Sequence, residues 1–211
     1  MKARFLTLAA AGLVISGCTT TYAPPPPPVT EYAVEDCGDA PDLATAISLT
    51  PDKDKAVWEL QTFVDASAGC TIFEGSATPY LVFELPPQDR AKLVELGAVL
   101  EGVRVFSPRV TLLNVDGEVT RTLNPQSYMY RNGMLSVQFV PTEDEQYALV
   151  TANQSVVGET RESLVAYVST TTIYTGYGAS NWNSGAEATS SRAFSYEGQI
   201  RALIYRPDKE D

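Results

Sequence analysis

The 211-residue chain contains no histidine. That absence removes Ser-His-Asp and Cys-His nucleophile systems, His-ligated metals and His-based pH switches. No glycine-rich phosphate loop and no dinucleotide fingerprint is present. Basic residues are scarce, 15 against 26 acidic ones, for a formal net charge of −11. Such a chain repels nucleic acid and anionic head groups, so no nucleic-acid partner is expected. Cysteine is rare too: three residues, at spacings that fit no zinc motif. No apolar run approaches the ~20 residues that span a bilayer. Carboxylate pairs, as in glycosidases, are the hydrolytic device that survives these exclusions. The densest acidic cluster, Glu143-Asp144-Glu145, follows Pro141-Thr142 between two strand-like runs and is expected to be a solvated hairpin loop. Asp52-Lys53-Asp54 lacks the glycine and distal glutamate of an EF-hand. No catalytic residue, metal or cofactor is therefore expected, and the chain reads as a non-enzyme.

What is present begins with an address. Met1-Lys2-Ala3-Arg4 is basic, Phe5 to Ile15 is apolar, and Ser16-Gly17 are small. This is the pattern of a secretory signal. Ile15-Ser16-Gly17-Cys18 resembles the lipobox of bacterial lipoproteins, in which the cysteine sulfur receives a lipid before cleavage. The resemblance implies three acyl chains on Cys18, a membrane partner through that anchor, and a location outside the cytoplasm. At ~0.8 kcal/mol per buried CH₂, three chains give on the order of 30 kcal/mol, an effectively permanent anchor. Thr19, rather than Asp, follows the cysteine, which for such lipoproteins favours the outer membrane, periplasmic side. Loss of Lys2 and Arg4 with the signal takes the net charge from −11 to −13. In that oxidising compartment Cys37 and Cys70 read as a disulfide, which also removes thiol catalysis.

Residues 1–17 are thus expected to be a lipoprotein signal peptide and residues 18–36 the lipidated cysteine and a proline-rich tether. Residues 37–211 form a single domain. Pro24 to Pro28 enforce extended polyproline II, which would hold the domain off the membrane or offer a docking site to a proline-binding partner. Leu43 to Leu60 is ambiguous: a short helix can start at Leu43, and Lys55 to Asp65 can pack on it. From Cys70 onward the pattern is β. Thr78 to Leu85 is aromatic and β-branched, and Pro86-Pro87 ends it. Val110 to Val115 and Glu118 to Leu123 flank Asp116-Gly117, while Tyr128 to Arg131 and Met134 to Val140 flank Asn132-Gly133. Both dipeptides signal a type I′ hairpin. Gln146 to Ala152 and Gly198 to Tyr205 are further strands. The expected fold is mostly β, an antiparallel, jelly-roll-like β-sandwich with a short helical or irregular N-terminal segment.

Ser169 to Phe194 stands apart in composition, poor in charge and rich in Gly, Ser, Thr and Asn. It reads as a long loop, a length that in a compact domain signals function or disorder. Tyr174, Tyr177, Asn181, Trp182 and Asn183 within it are candidate ligand-binding residues. Flat rings stack on sugars or peptides, and amides hydrogen-bond to them. The competing reading folds these aromatics back onto the sandwich edge.

Thr78-Pro79-Tyr80, Val105 to Leu113, Tyr147 to Thr151 and Ser195 to Ile200 together resemble the maltose-operon periplasmic protein family. The resemblance implies a β-sandwich, an envelope location and a link to maltodextrin uptake. It assigns no catalytic residue. It also implies a strand before Phe106, so Ala91 to Leu100 is expected to be a strand bent at Gly97 rather than a helix. The resulting expectation is a non-enzymatic accessory or binding module for a carbohydrate. Its alternative is an assembly partner that docks another envelope protein. A Cys18→Ala variant is expected to leave the membrane fraction entirely, with fractionation and mass spectrometry of the mature N-terminus as the measurement.

Overall fold

The structure, a computed structural model, describes residues 23–34, 36–53, 55–73, 75–88, 91–175 and 178–206. Cys18, Tyr177 and the signal segment lie outside the described residues. The fold is a β-sandwich. The first sheet comprises β1 (Ile47–Ser48), β3 (Gly69–Phe73), β4 (Ser76–Glu84), β11 (Tyr147–Ala152), β7 (Pro108–Leu113) and β8 (Val119–Thr122). Its order is β1-β4-β11-β7-β8, and β3 also pairs with β4. The second sheet has the order β2-β14-β5-β10-β9, from β2 (Val57–Val64), β14 (Gly198–Tyr205), β5 (Leu93–Val99), β10 (Met134–Phe139) and β9 (Met129–Arg131).

Period-two alternation puts one face of each sheet into a common core. Phe83, Leu112, Ala148 and Val150 come from the first sheet. Val94, Leu96, Ala98, Val137, Phe139, Ile200 and Ile204 come from the second. The register enforces this, since Ala148 lies between Phe83 and Leu112, and Leu96 between Val137 and Ala202. The outer face of the first sheet is covered as well. Tyr80, Val82, Leu113 and Leu149 are buried there beneath Leu43 and Ala46 of the N-terminal segment. That segment contains a short 3₁₀ turn, Leu43–Thr45, capped by the Asp42 side chain. It is fastened by the Asp42 amide, which donates to Tyr80 Oη at 2.8 Å, and by the Cys37–Cys70 disulfide. A bridge closing a loop of that length stabilises by about 4 kcal/mol in the chain-entropy account.

The expected strands from Thr78 to Tyr205 are present, and Leu93–Val99 is a strand. Gly97 sits between Ser136 and Arg201 of its two neighbours. Asn132 and Gly133 both have positive φ, 51° and 74°, as a type I′ turn demands. Asp116-Gly117 does not form that turn: among its residues Gly117 alone has positive φ. Asn114 takes over, its Oδ1 accepting from the Asp116 and Glu118 amides, and the β7–β8 register shifts between Leu112 and Leu113. β structure also starts earlier than expected. Val57–Val64 is a strand whose Trp58, Leu60 and Val64 turn to the core, not a segment packed on a helix. Glu145 is not solvated, at 7 % exposure; Arg121 Nε pairs with it at 2.6 Å and the Thr142 amide donates to it.

The proline-rich stretch is not wholly a free spacer. Val29 N donates to Ser195 Oγ at 2.9 Å, and Tyr196 N donates to the Val29 carbonyl at 2.8 Å. Arg104 Nη1 donates to the Pro27 carbonyl, and the Tyr32 and Tyr196 rings lie 5.5 Å apart. Pro25 packs so closely on Gly102 that a Cβ there would sit 2.7 Å from Pro25 Cβ. Gly97→Ala is expected to cost about 1–3 kcal/mol in urea unfolding, because a Cβ would fall 2.5 Å from the Leu135 carbonyl of β10.

Candidate functional site

The segment expected to be a loop is a β-hairpin. β12 (Thr160–Thr175) and β13 (Gly178–Ser195) pair antiparallel without interruption from Thr160↔Ala193 to Thr175↔Gly178. Sixteen residues at ~3.3 Å each make an arm about 50 Å long. Thr, Val, Ile and Tyr on β12 suit a strand. The Gly, Ser and Asn of β13 disguise it, because Gly and Asn are depleted in strands. Among the described residues β12 pairs with β13 alone, and β13 pairs beyond the hairpin only with β6 (Arg104–Phe106), in parallel, through Ala193 to Ser195.

Of the five expected binding residues, Tyr174 and Asn181 have described side chains, and Tyr177 lies outside the described residues. Tyr174 is on β12 near the tip, 81 % exposed, and Asn181 is exposed opposite Thr172, with the Thr172 Oγ1 to Asn181 Oδ1 distance 3.0 Å. Asn183 lies opposite Thr170 and Trp182 opposite Thr171.

A cavity exists instead at the base of the arm. It has a volume of about 260 Å³, at the small end of ligand pockets. Tyr128, Tyr130 and Leu135 form the side belonging to the second sheet. Ser107, Pro108 and Asn153 form the side belonging to the first sheet, and Phe194 and Arg161 come from the base of the arm. Local structure places each of them. Ser107 N donates to the Ser195 carbonyl, Ser107 Oγ donates to the Asn153 carbonyl at 3.1 Å, and Asn153 N donates to the Ser107 carbonyl at 2.7 Å. The 3₁₀ turn Pro125–Ser127, capped by Asn124, delivers Tyr128. The Val110 amide then donates to Tyr128 Oη at 2.9 Å, so this ring ties the second sheet to the first. Burial pushes the Tyr128 phenol well above its ordinary value, against smaller opposing effects of the Val110 amide and Arg109.

Arg161 lies at the mouth and is exposed. Among the described residues no hydrogen bond or ion pair holds it. Its cross-strand partner is Arg192, which donates to the Glu101 carbonyl and to Ser190 Oγ. Like charges directly opposite one another on an antiparallel pair destabilise it. Both arginines also line a smaller crevice beside Tyr130.

Two other features gather carboxylates. Glu95 is fully buried on the outer face of the second sheet, where Ser136 Oγ, Gln138 Nε2 and Tyr205 Oη donate to it at 2.5, 2.8 and 3.0 Å. Burial, followed by that bond and the Glu95 charge, raises the Tyr205 phenol. With its oxygens already taken by three neutral donors, Glu95 reads as part of a closed hydrogen-bonded cluster. A second cavity, of about 500 Å³, is rimmed by Glu84, Glu143 and Glu145. Among the described residues no group of three His, Cys, Asp or Glu side chains is disposed to hold a metal ion.

The residues that build the cavity were missed in the sequence because they are scattered from Ser107 to Phe194. Tyr128-Met129-Tyr130 offered a signal as an aromatic pair beside a hairpin, but it was absorbed into a strand assignment. No protein-family model matches the chain, and no curated protein and no solved structure is found to be similar to it. Tyr128→Phe is expected to lower stability by about 1–3 kcal/mol, read from the urea midpoint, because it leaves the buried Val110 amide without its acceptor.

Proposed function

We propose that the protein is a lipid-anchored, non-enzymatic envelope module that binds a small ring-bearing ligand, of carbohydrate type, in the cavity at the base of the arm. The observation that carries this reading is the composition and setting of that cavity. The flat rings of Tyr128 and Tyr130, the Asn153 amide and the Arg161 guanidinium, which has no partner among the described residues, converge on a space too small for an extended chain. Aromatic faces with nearby amides and hydroxyls suit sugars. The cavity is also rigidly framed, since its walls come from both sheets and from Phe194, which is buried in the core. The location rests on the Ile15-Ser16-Gly17-Cys18 lipobox and on Thr19, which favour the periplasmic side of the outer membrane. Docking of the Val29 region onto Ser195 and Tyr196 supports a shorter spacer than the sequence suggests, with the domain close to its anchor.

A second reading has its own support. The arm's outer edge on β12 has no strand partner among the described residues, and an open edge is a template for strand addition by another protein. In this reading the protein is an assembly partner in the envelope. Proline within β12 would discriminate the two: Thr171→Pro would abolish edge pairing while leaving the cavity intact.

For the first reading the measurement is calorimetry of the mature protein against maltodextrins and peptidoglycan fragments. Tyr130→Ala is expected to weaken whichever glycan binds about tenfold, the scale of one lost aromatic contact. Absence of heat with every glycan, together with capture of one discrete envelope protein that Thr171→Pro abolishes, would transfer the assignment to the arm.

A further inference from the structure

We infer that the ligand of the cavity carries a carboxylate, which Arg161 binds; the inference rests on the carbohydrate reading above and narrows it to acidic sugars. The first ground is charge. Arg161 is an exposed guanidinium on a chain of 26 acidic and 15 basic residues. Elsewhere Arg104 pairs with Glu101 at 3.2 Å and Glu197 at 3.5 Å, and Arg121 pairs with Glu145. Arg161 pairs with nothing among the described residues, yet it stands at the mouth of the cavity.

The second ground is register. Arg161 lies directly across from Arg192. Arg192 donates to the Glu101 carbonyl and Ser190 Oγ, and both arginines line the crevice beside Tyr130. Two guanidiniums set side by side make a locally positive spot on an acidic molecule, and an anion seated against Arg161 relieves the repulsion between them. The planar fork of arginine matches a carboxylate with two parallel hydrogen bonds.

The third ground is the donor set around that spot. Asn153 Oδ1 already accepts from Ser155 Oγ at 2.8 Å, which leaves the amide NH₂ to donate into the cavity. The Tyr130 ring lines both the cavity and the crevice that Arg161 and Arg192 share, so a sugar ring stacked on Tyr130 places a carboxylate substituent within reach of Arg161. A neutral sugar uses the ring and the amide but leaves the guanidinium idle.

The test is calorimetry of the mature protein with two matched pairs. One pair is the disaccharide of N-acetylglucosamine and N-acetylmuramic acid against N,N′-diacetylchitobiose. The other is a glucuronic-acid-terminated disaccharide against its neutral glucose counterpart. The acidic member of at least one pair is expected to bind ten or more times tighter than the neutral one, and the pair that shows it separates a cell-wall source from a uronate source. The advantage should shrink as salt is raised. Arg161→Gln should bring the acidic sugar down to the neutral sugar's affinity without changing the neutral one, and Arg161→Lys should recover only part of the difference. Circular dichroism of both variants controls for folding. Equal affinity within both pairs for the unaltered protein, or an acid preference that survives Arg161→Gln, overturns the inference while leaving the carbohydrate reading in place. Heat with none of the four sugars removes both.

Discussion

Three residues of parallel pairing hold together the arm, the cavity and the N-terminal segment of this molecule. Ala193, Phe194 and Ser195 of β13 lie alongside Arg104, Val105 and Phe106 of β6. β6 is itself the crossing point between the sheets: it follows β5 of the second and leads into β7 of the first. Phe194 is buried with Val105 and Phe106 in the common core, so the base of the arm is packed into the sandwich rather than laid on it. Ser195 extends the same junction outward. Its carbonyl accepts from Ser107, and its hydroxyl accepts from Val29 and from Glu197. One short junction therefore sets the arm, the wall of the cavity and the course of the N-terminal segment.

The polar groups around that junction are satisfied in a manner that keeps it rigid. Arg104, 8 % exposed, meets two carboxylates and the Pro27 carbonyl. Removing a partner from such a buried pair costs far more than forming the pair gains, which gives the corner one arrangement instead of several. On the other side of the cavity Tyr128 reaches from the second sheet to a backbone amide of the first. A small cavity with walls from two sheets keeps its shape only through such ties, because independent motion of its walls would change it. Beyond the junction β12 and β13 have no strand partner but each other among the described residues.

Much of the sandwich was legible in the residue pattern. Asn132-Gly133 specified its turn because both positions need positive φ, which few other residues tolerate. The run from Gln146 to Ala152 declared itself a strand; the structure makes it a central one, with apolar residues toward both the core and the covered outer face. Other elements were masked. The Asp116-Gly117 dipeptide yielded to a stronger local competitor, the Asn114 side chain. Val57–Val64 alternates only weakly, since Phe63 and Val57 face solvent and blur the period. The hairpin arm was invisible because a two-stranded ribbon buries little, so selection for apolar alternation along it is slight.

By itself, then, the sequence determined composition-level and local matters. Lack of histidine, acidic charge, the cysteine pairing and most strands follow from residue types and near-neighbour spacing, which act without reference to the rest of the chain. Tertiary structure alone decided which residues meet. Arg161, Asn153, Tyr130 and Phe194 come from separate strands and loops, and only the β13–β6 junction and the packing of two sheets bring them to one cavity. Tyr174 and Asn181, close in sequence, stand on the two paired strands of an extended ribbon. A strand separates its residues by ~3.3 Å steps and alternates their faces, so closeness in sequence does not make a site.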